Sequence, residues 1–229
     1  MKTFLIYVIL ITVSINCKAQ TPMPDNKLGA WYLVDINHLI TNKLSIKTGV
    51  ELHSFEVLDN INLILYYTGI DYNLNNNITL CVGYMFLDID TNYAISGENH
   101  MYENRPFEQI SFKHKRSQLS ITHRLRLEHR FLNYKHTINE KHRFRYRLGA
   151  KIDLNNYLFI HINNEVFANL KNDVFTENRF YAGVGIPLSK NNSLQFGYIN
   201  HNINKSNYNR LHLGLLIKTD LRKKRAKLF

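Results

Sequence analysis

Residues 117–132, SQLSITHRLRLEHRFL, carry the reading that decides the fold. Leu119, Ile121, Leu125, Leu127 and Phe131 fall on every second position, and Ser120, Thr122, Arg124, Arg126, Glu128 and Arg130 fill the positions between them. Successive side chains of a strand point to opposite faces, so this alternation predicts a β-strand with one apolar and one charged face. A helix would scatter the same arginines around its circumference.

The pattern repeats outward from this segment. Residues 43–55 set Leu44, Ile46, Val50 and Leu52 against Ser45, Lys47, Glu51 and His53. Residues 77–88 set Ile78, Leu80, Val82, Tyr84 and Phe86 against Thr79, Cys81, Gly83 and Met85. Further strands are read at 28–38, 61–72, 107–114, 141–153, 157–170, 175–188, 193–202 and 209–221, giving eleven. Short Asn-rich connections at 154–156 and 189–192 contrast with a long, polar and acidic one at 89–105. Short turns alternating with longer loops are the signature of an all-β, antiparallel up-and-down meander that closes into a barrel. Single-chain bacterial barrels of this kind have an even strand number. The expectation is therefore about 12 strands, with one near the amino terminus unread, or 10 if one has been wrongly divided.

The two ends of the chain are different in kind. Lys2, an apolar run over 4–15, and the small residues Cys17 and Ala19 form a secretory signal peptide of residues 1–19, cleaved between Ala19 and Gln20. Twelve apolar residues are too few for a spanning helix, which needs roughly 20. Asn16 before Cys17 argues against an acylated Cys17. Cleavage leaves Cys81 alone, so no disulfide holds the mature chain, and removal of Lys2 and Lys18 lowers the net charge from +11 to +9. Arg222, Lys223, Lys224, Arg225 and Lys227 crowd the tail at 222–229, read as solvated and not as a nucleic-acid contact, because the chain is exported. The last strand stops near Leu221, short of the terminal Phe229. The remainder, 20–221, reads as one domain, and its 12% aromatic content excludes a disordered chain.

A soluble barrel turns its apolar faces inward; a membrane barrel exchanges the faces. Strands of ten residues or more suit a tilted crossing, which needs roughly 9 to 11. The mean hydropathy of −0.29 is what a barrel shows when only alternate residues meet lipid. Arginine on the lipid face costs about 2 to 4 kcal/mol near the midplane, so the expected barrel is a membrane one with its arginines inside.

Arg143, Arg145 and Arg147 repeat the alternating ladder on the following strand. A turn centred near His136 and Thr137 predicts Glu128 opposite Arg145 and Arg130 opposite Arg143. A hairpin about Asn155 predicts Glu165 opposite Arg145, and one about Asn172 predicts Arg179 beside Glu165. The expected result is a transverse belt of Glu128, Arg145, Glu165 and Arg179, alternating in sign. Two roles are open for it. It braces a narrow interior without a ligand, or its surplus arginine forms an anion-attracting constriction in a pore.

The strings HRLRLEHRF at 123–131, RFRYRL at 143–148, NNEVFAN at 163–169, ENRFYAGVG at 177–185 and LQFGYIN at 194–200 resemble a family of uncharacterised outer-membrane β-barrel proteins typical of Bacteroidota. Trp31 and ENRPFEQ at 103–109 are similar too. The resemblance implies a fold and a place in the outer membrane and carries no information about activity.

Nucleophilic catalysis needs a nucleophile and a base within hydrogen-bonding reach. The sequence has 11 His, among them His114, His123, His129 and His142, but neither a G-x-S-x-G elbow nor a serine set clearly opposite a histidine. His123 and His129 fall on the apolar side of their strand. H-E-x-x-H, paired cysteines and a glycine-rich phosphate loop are missing, so no metal or cofactor is expected. Asp90, Tyr93, Glu98, His100, Tyr102 and Glu103 make the long loop a binding candidate of unnamed ligand. The leading expectation is a non-enzymatic outer-membrane barrel with a structural or surface-interaction role, whose partners are outer-membrane lipid and the insertion machinery. The alternatives are a narrow anion-favouring pore, a soluble periplasmic ligand-binding barrel and a lipid-modifying barrel enzyme.

Overall fold

The computed structural model describes residues 27–91, 100–171, 174–204 and 206–222. The segment read as a signal peptide, with Ala19 and Gln20, the middle of the 89–105 segment and all but the first residue of the basic tail lie outside the described residues. Among the described residues eleven strands follow one another: β1 (Leu28–Leu39), β2 (Leu44–Glu56), β3 (Asp59–Asn73), β4 (Ile78–Asp90), β5 (His100–Arg116), β6 (Leu119–Tyr134), β7 (Thr137–Asp153), β8 (Phe159–Asn169), β9 (Phe175–Pro187), β10 (Asn192–Ile203) and β11 (Ser206–Asp220).

Each strand pairs antiparallel with its neighbour in the chain, and β1 closes the barrel by pairing parallel with β11. In a meander of antiparallel neighbours the first and last of an odd number run the same way, so an odd barrel must close on a parallel seam. That seam runs from Leu28 opposite Asn209 to Leu39 opposite Asp220. The eleven strands legible in the alternation thus complete the wall among the described residues, without the even number that predicted a twelfth.

Turns at 40–43, 74–77, 117–118, 154–158 and 188–191 share one rim; β4 ends and β5 begins at the other. The 89–105 segment differs from its expected extent. Met101 to Arg105 belong to β5, with Asp88 opposite Tyr102 and Met85 opposite Arg105. The segment's length and its polar, acidic composition read as loop; Pro106, which cannot donate to a ladder, interrupts the pairing with β6. The β5–β6 partners accordingly stop at Asn104–Phe131 and resume at Phe107–Glu128.

Alternation sorts the side chains into two environments. Val34, Val50, Ile70, Val82 and Leu213 point outward and are 37% to 58% exposed. The inward positions hold a lumen with two apolar patches, one around Leu65, Met85, Leu87 and Phe107, the other around Trp31, Tyr181 and Ile199. The free Cys81 is buried beside the first.

Candidate functional site

Parity decides which charges share the lumen. β6 sends Arg124, Arg126, Glu128 and Arg130 inward; β7 sends Arg143, Arg145 and Arg147; β8 sends Glu165 and β9 sends Arg179. The register between them differs from the expected one. Glu128 stands opposite Arg143, not Arg145, and Arg130 opposite Lys141, not Arg143. Glu165 stands opposite Arg147, not Arg145, while Arg179 stands opposite Glu165.

The cause lies in the two turns. Lys135 and His136 form a two-residue turn closed by Tyr134 and Thr137, with φ of 47° and 65°. Left-handed conformation at both central positions is the type I′ hairpin, which matches the strand twist. The turn centre falls one residue earlier than expected, so every partner moves by two. The β7–β8 turn spans 154–158, centred on Asn156 and not Asn155, and Asn155 Oδ1 accepts the Tyr157 amide at 2.8 Å. Shifts of two keep each side chain on its face.

Arginine is long enough to restore the belt diagonally. Arg145 Nη1 donates to Glu128 Oε1 at 2.5 Å, and its Nε and Nη2 grip both oxygens of Glu165 at 3.0 and 2.8 Å. Arg143 grips Glu128 Oε2 at 2.7 and 3.0 Å and reaches Glu177 Oε2 at 2.7 Å. Arg124 Nη2 donates to Glu165 Oε1 at 2.5 Å, whereas Arg179 reaches Glu165 at 4.0 Å and bonds Glu177 at 3.2 Å. Glu103 is held by Arg130 at 2.7 and 2.9 Å and by Arg105 at 2.6 Å. Glu103 and Glu128 have no solvent exposure, which a carboxylate tolerates only when it is paired and its oxygens are satisfied.

Aromatic rings fix the flat guanidiniums from beneath. The ring of Phe167 lies 4.5 to 5.0 Å from Arg143, Arg145 and Arg179. Arg179 also lies 4.5 Å from the ring of Trp31, which stacks on His53 at 3.9 Å. Forked ion pairs and ring stacking together leave these side chains few alternative rotamers.

Of the luminal arginines of β6 and β7, Arg126 and Arg147 stay outside this pairing, as does Arg210 of β11, which donates to the Asn209 carbonyl at 3.1 Å. Arg126 donates to Gln109 Oε1 at 3.0 and 2.7 Å and lies over Phe107, with its nearest carboxylate, Glu128, at 3.8 Å. Arg147 makes no hydrogen bond or ion pair among the described residues, and its side chain lines the cavity. Both belong to like-charged pairs: Arg126 is directly opposite Arg145, and Arg147 directly opposite Arg124.

Glu103, Arg105 and Glu177 are the members that sequence reasoning missed. Glu103 and Arg105 were hidden in the segment whose polar, acidic composition reads as loop. Glu177 had a legible signal, since it shares parity with Arg179 two residues on.

On the outer wall, His123 bonds Tyr146 Oη at 2.8 Å, and His129 lies between His142 at 2.9 Å and Glu108 at 3.1 Å. These outward imidazoles are thus satisfied by neighbours on adjoining strands, β5 and β7. His38 Nδ1 meets the Thr219 hydroxyl at 2.6 Å, with no carboxylate on its other nitrogen among the described residues. No group of three or more His, Cys, Asp or Glu among the described residues is arranged to hold a metal ion.

No curated protein matches the chain. Among solved structures, the fold is similar to one described as "NanC porin structure in rhombohedral crystal form", with 11% identity, a TM-score of 0.53, and coverage of 83% of this chain and 98% of that one. The two share a barrel architecture. Residues 28–212, from the first strand into the last, match the model of a family described as "Protein of unknown function (DUF2490)", and the chain belongs to that family.

Proposed function

We propose that the protein is an outer-membrane β-barrel whose lumen is a narrow, anion-favouring channel. One observation carries this reading. The internal cavity, about 850 Å³, is lined from Asn76 and Asn77 at one rim to Asp90 and Thr91 at the other. Among the described residues, eleven Lys and Arg line it against six Asp and Glu, and the fully buried Glu103 and Glu128 do not line it. A solute in the lumen therefore faces more cationic than anionic side chains. Fixed positive charge in a low-dielectric passage concentrates anions there.

The membrane placement is supported by the outward apolar belt, which in water would be a large exposed hydrophobic surface. Similarity of fold to a porin and the secretory signal peptide point the same way. Lipid would cover the belt, and the insertion machinery would deliver the barrel. We read the protein as non-enzymatic, because the hydroxyl–imidazole contact at Thr219 and His38 lacks a third group to orient it.

A purely bracing role is the second reading, favoured by the density of ion pairs around Glu128 and Glu165. Planar-bilayer recording on the refolded mature protein separates the two. The expected result is a small conductance whose reversal potential in a salt gradient shows anion preference. Silent protein with the heat-modifiable gel mobility of a folded barrel would leave bracing as the function. Recovery as a soluble periplasmic monomer would overturn the membrane placement.

A further inference from the structure

The lumen is polarised across its width as well as positive overall. Asp35 on β1 and Glu51 on β2 line the same cavity as Arg126 on β6 and Arg147 on β7. Around the closed wall, β1 and β2 are separated from β6 and β7 by β3 to β5 on one side and β8 to β11 on the other. The two pairs of strands therefore face each other. All four residues lie near the middle of their strands, away from the rims.

Neither acid holds an arginine in direct contact among the described residues. Asp35 accepts a hydrogen bond from Tyr67 Oη at 2.6 Å, and Glu51 meets only the His53 imidazole at 3.1 Å; neither has a Lys or Arg within 4.0 Å among the described residues. Lys47, the cation on that wall, is committed to Asp71 at 2.5 Å. Glu103, Glu128, Glu165 and Glu177, by contrast, are all gripped by arginine. A lumen that leaves two acids without an arginine in contact, and sets on the opposite wall two arginines that make no hydrogen bond to a carboxylate, keeps opposite charges apart at a cost in stability. Fixed charges of opposite sign across a low-dielectric gap make a transverse field, which orients a dipole and favours one that spans the gap.

We infer that the lumen takes a small zwitterion of the amino-acid type, its carboxylate on Arg126 and Arg147 and its ammonium on Asp35 and Glu51. This rests on the channel reading. The acid wall deters a plain anion from filling the lumen, and the basic wall excludes a plain cation, so a molecule carrying both groups is favoured over either.

The test uses the refolded mature protein in liposomes, with swelling followed in isosmotic γ-aminobutyrate, in the neutral polyol erythritol and in potassium gluconate, and with reversal potentials taken in planar bilayers. The wild type is expected to swell severalfold faster in γ-aminobutyrate than in erythritol. Asp35→Asn with Glu51→Gln, isosteric changes that retain an acceptor for Tyr67 and His53, should abolish that advantage and raise anion preference. Arg126→Gln with Arg147→Gln should also abolish it, but lower anion preference. A conducting wild type that swells equally in γ-aminobutyrate and erythritol overturns the zwitterion inference and leaves the channel standing. So does an advantage that persists in the acid-wall variant. A wild type that neither conducts nor swells overturns the channel, and this inference with it.

Discussion

Arg126 on β6 and Arg145 on β7 are directly opposed partners whose side chains enter the lumen from the same face of the sheet. Opposed like charges destabilise a strand pair by an amount comparable to what opposite charges contribute, about 0.2 to 1 kcal/mol. Arg145 is clamped between Glu128 and Glu165, whereas Arg126 has Gln109 and the ring of Phe107. Arg126→Gln is therefore expected to leave unfolding free energy unchanged or to raise it by about 0.2 to 1 kcal/mol. Denaturant titration in detergent micelles, followed by the emission of the single tryptophan, Trp31, measures this. The same variant should move the reversal potential towards cation preference.

Glu128 behaves in the opposite way. It has no solvent exposure, and two arginines, Arg143 and Arg145, depend on it. Glu128→Gln keeps the shape and removes the charge, leaving both guanidiniums with one anionic partner fewer in a desolvated site. Breaking a buried pair in this way costs about 3 to 5 kcal/mol. The expected result is a sharply lower folding yield and an earlier transition in the same titration. Glu108, on the outer wall with its side chain 57% exposed, is the control. Glu108→Gln should cost less than about 1 kcal/mol.

These two glutamates also show what the sequence made legible and what it did not. A period of two settles the face of a side chain regardless of register, so the inward placement of the β6 and β7 arginines and the outward placement of His123 and His129 were readable from spacing. Partnership was not, because it depends on where each turn is centred. Nothing in Lys135 and His136 advertises a type I′ turn, whose usual residues are Asn and Gly. The belt from Glu128 to Arg145 to Glu165 forms despite the shifted register because arginine bridges diagonally. The polar, acidic composition of residues 89–105 concealed the strand that holds Glu103 and Arg105. Closure on a parallel seam was invisible because alternation specifies no partner for the first strand.

That turn gives a prediction of its own. Lys135 and His136 both have φ in the left-handed region, which costs an L-residue with a side chain about 1 to 2 kcal/mol each. Lys135→Asn combined with His136→Gly supplies the residues that this turn prefers and should stabilise the β6–β7 hairpin by about 1 kcal/mol or more. Denaturant midpoints should rise. Conductance should not change, because the turn stands at the rim, beyond the luminal charges.

Two inward glycines on the same wall should respond differently to a methyl group. A Cβ at Gly185 would lie 1.9 to 2.5 Å from three atoms of the Phe159 ring, the cross-strand partner that covers it. That ring is 5% exposed and seats Lys151 at 4.1 Å, so it cannot give way without leaving a packed position. At Gly149 the nearest atom is Asn163 Cβ at 3.6 Å, an ordinary contact. Gly149→Ala is expected to change stability by no more than about 0.5 kcal/mol. Gly185→Ala should cost about 1 to 3 kcal/mol, the usual price of overpacking. It should also push the Phe159 ring further into the lumen and lower single-channel conductance, whereas Gly149→Ala leaves conductance at the wild-type value. Equal conductance in the two variants would mean that the passage does not run past Phe159.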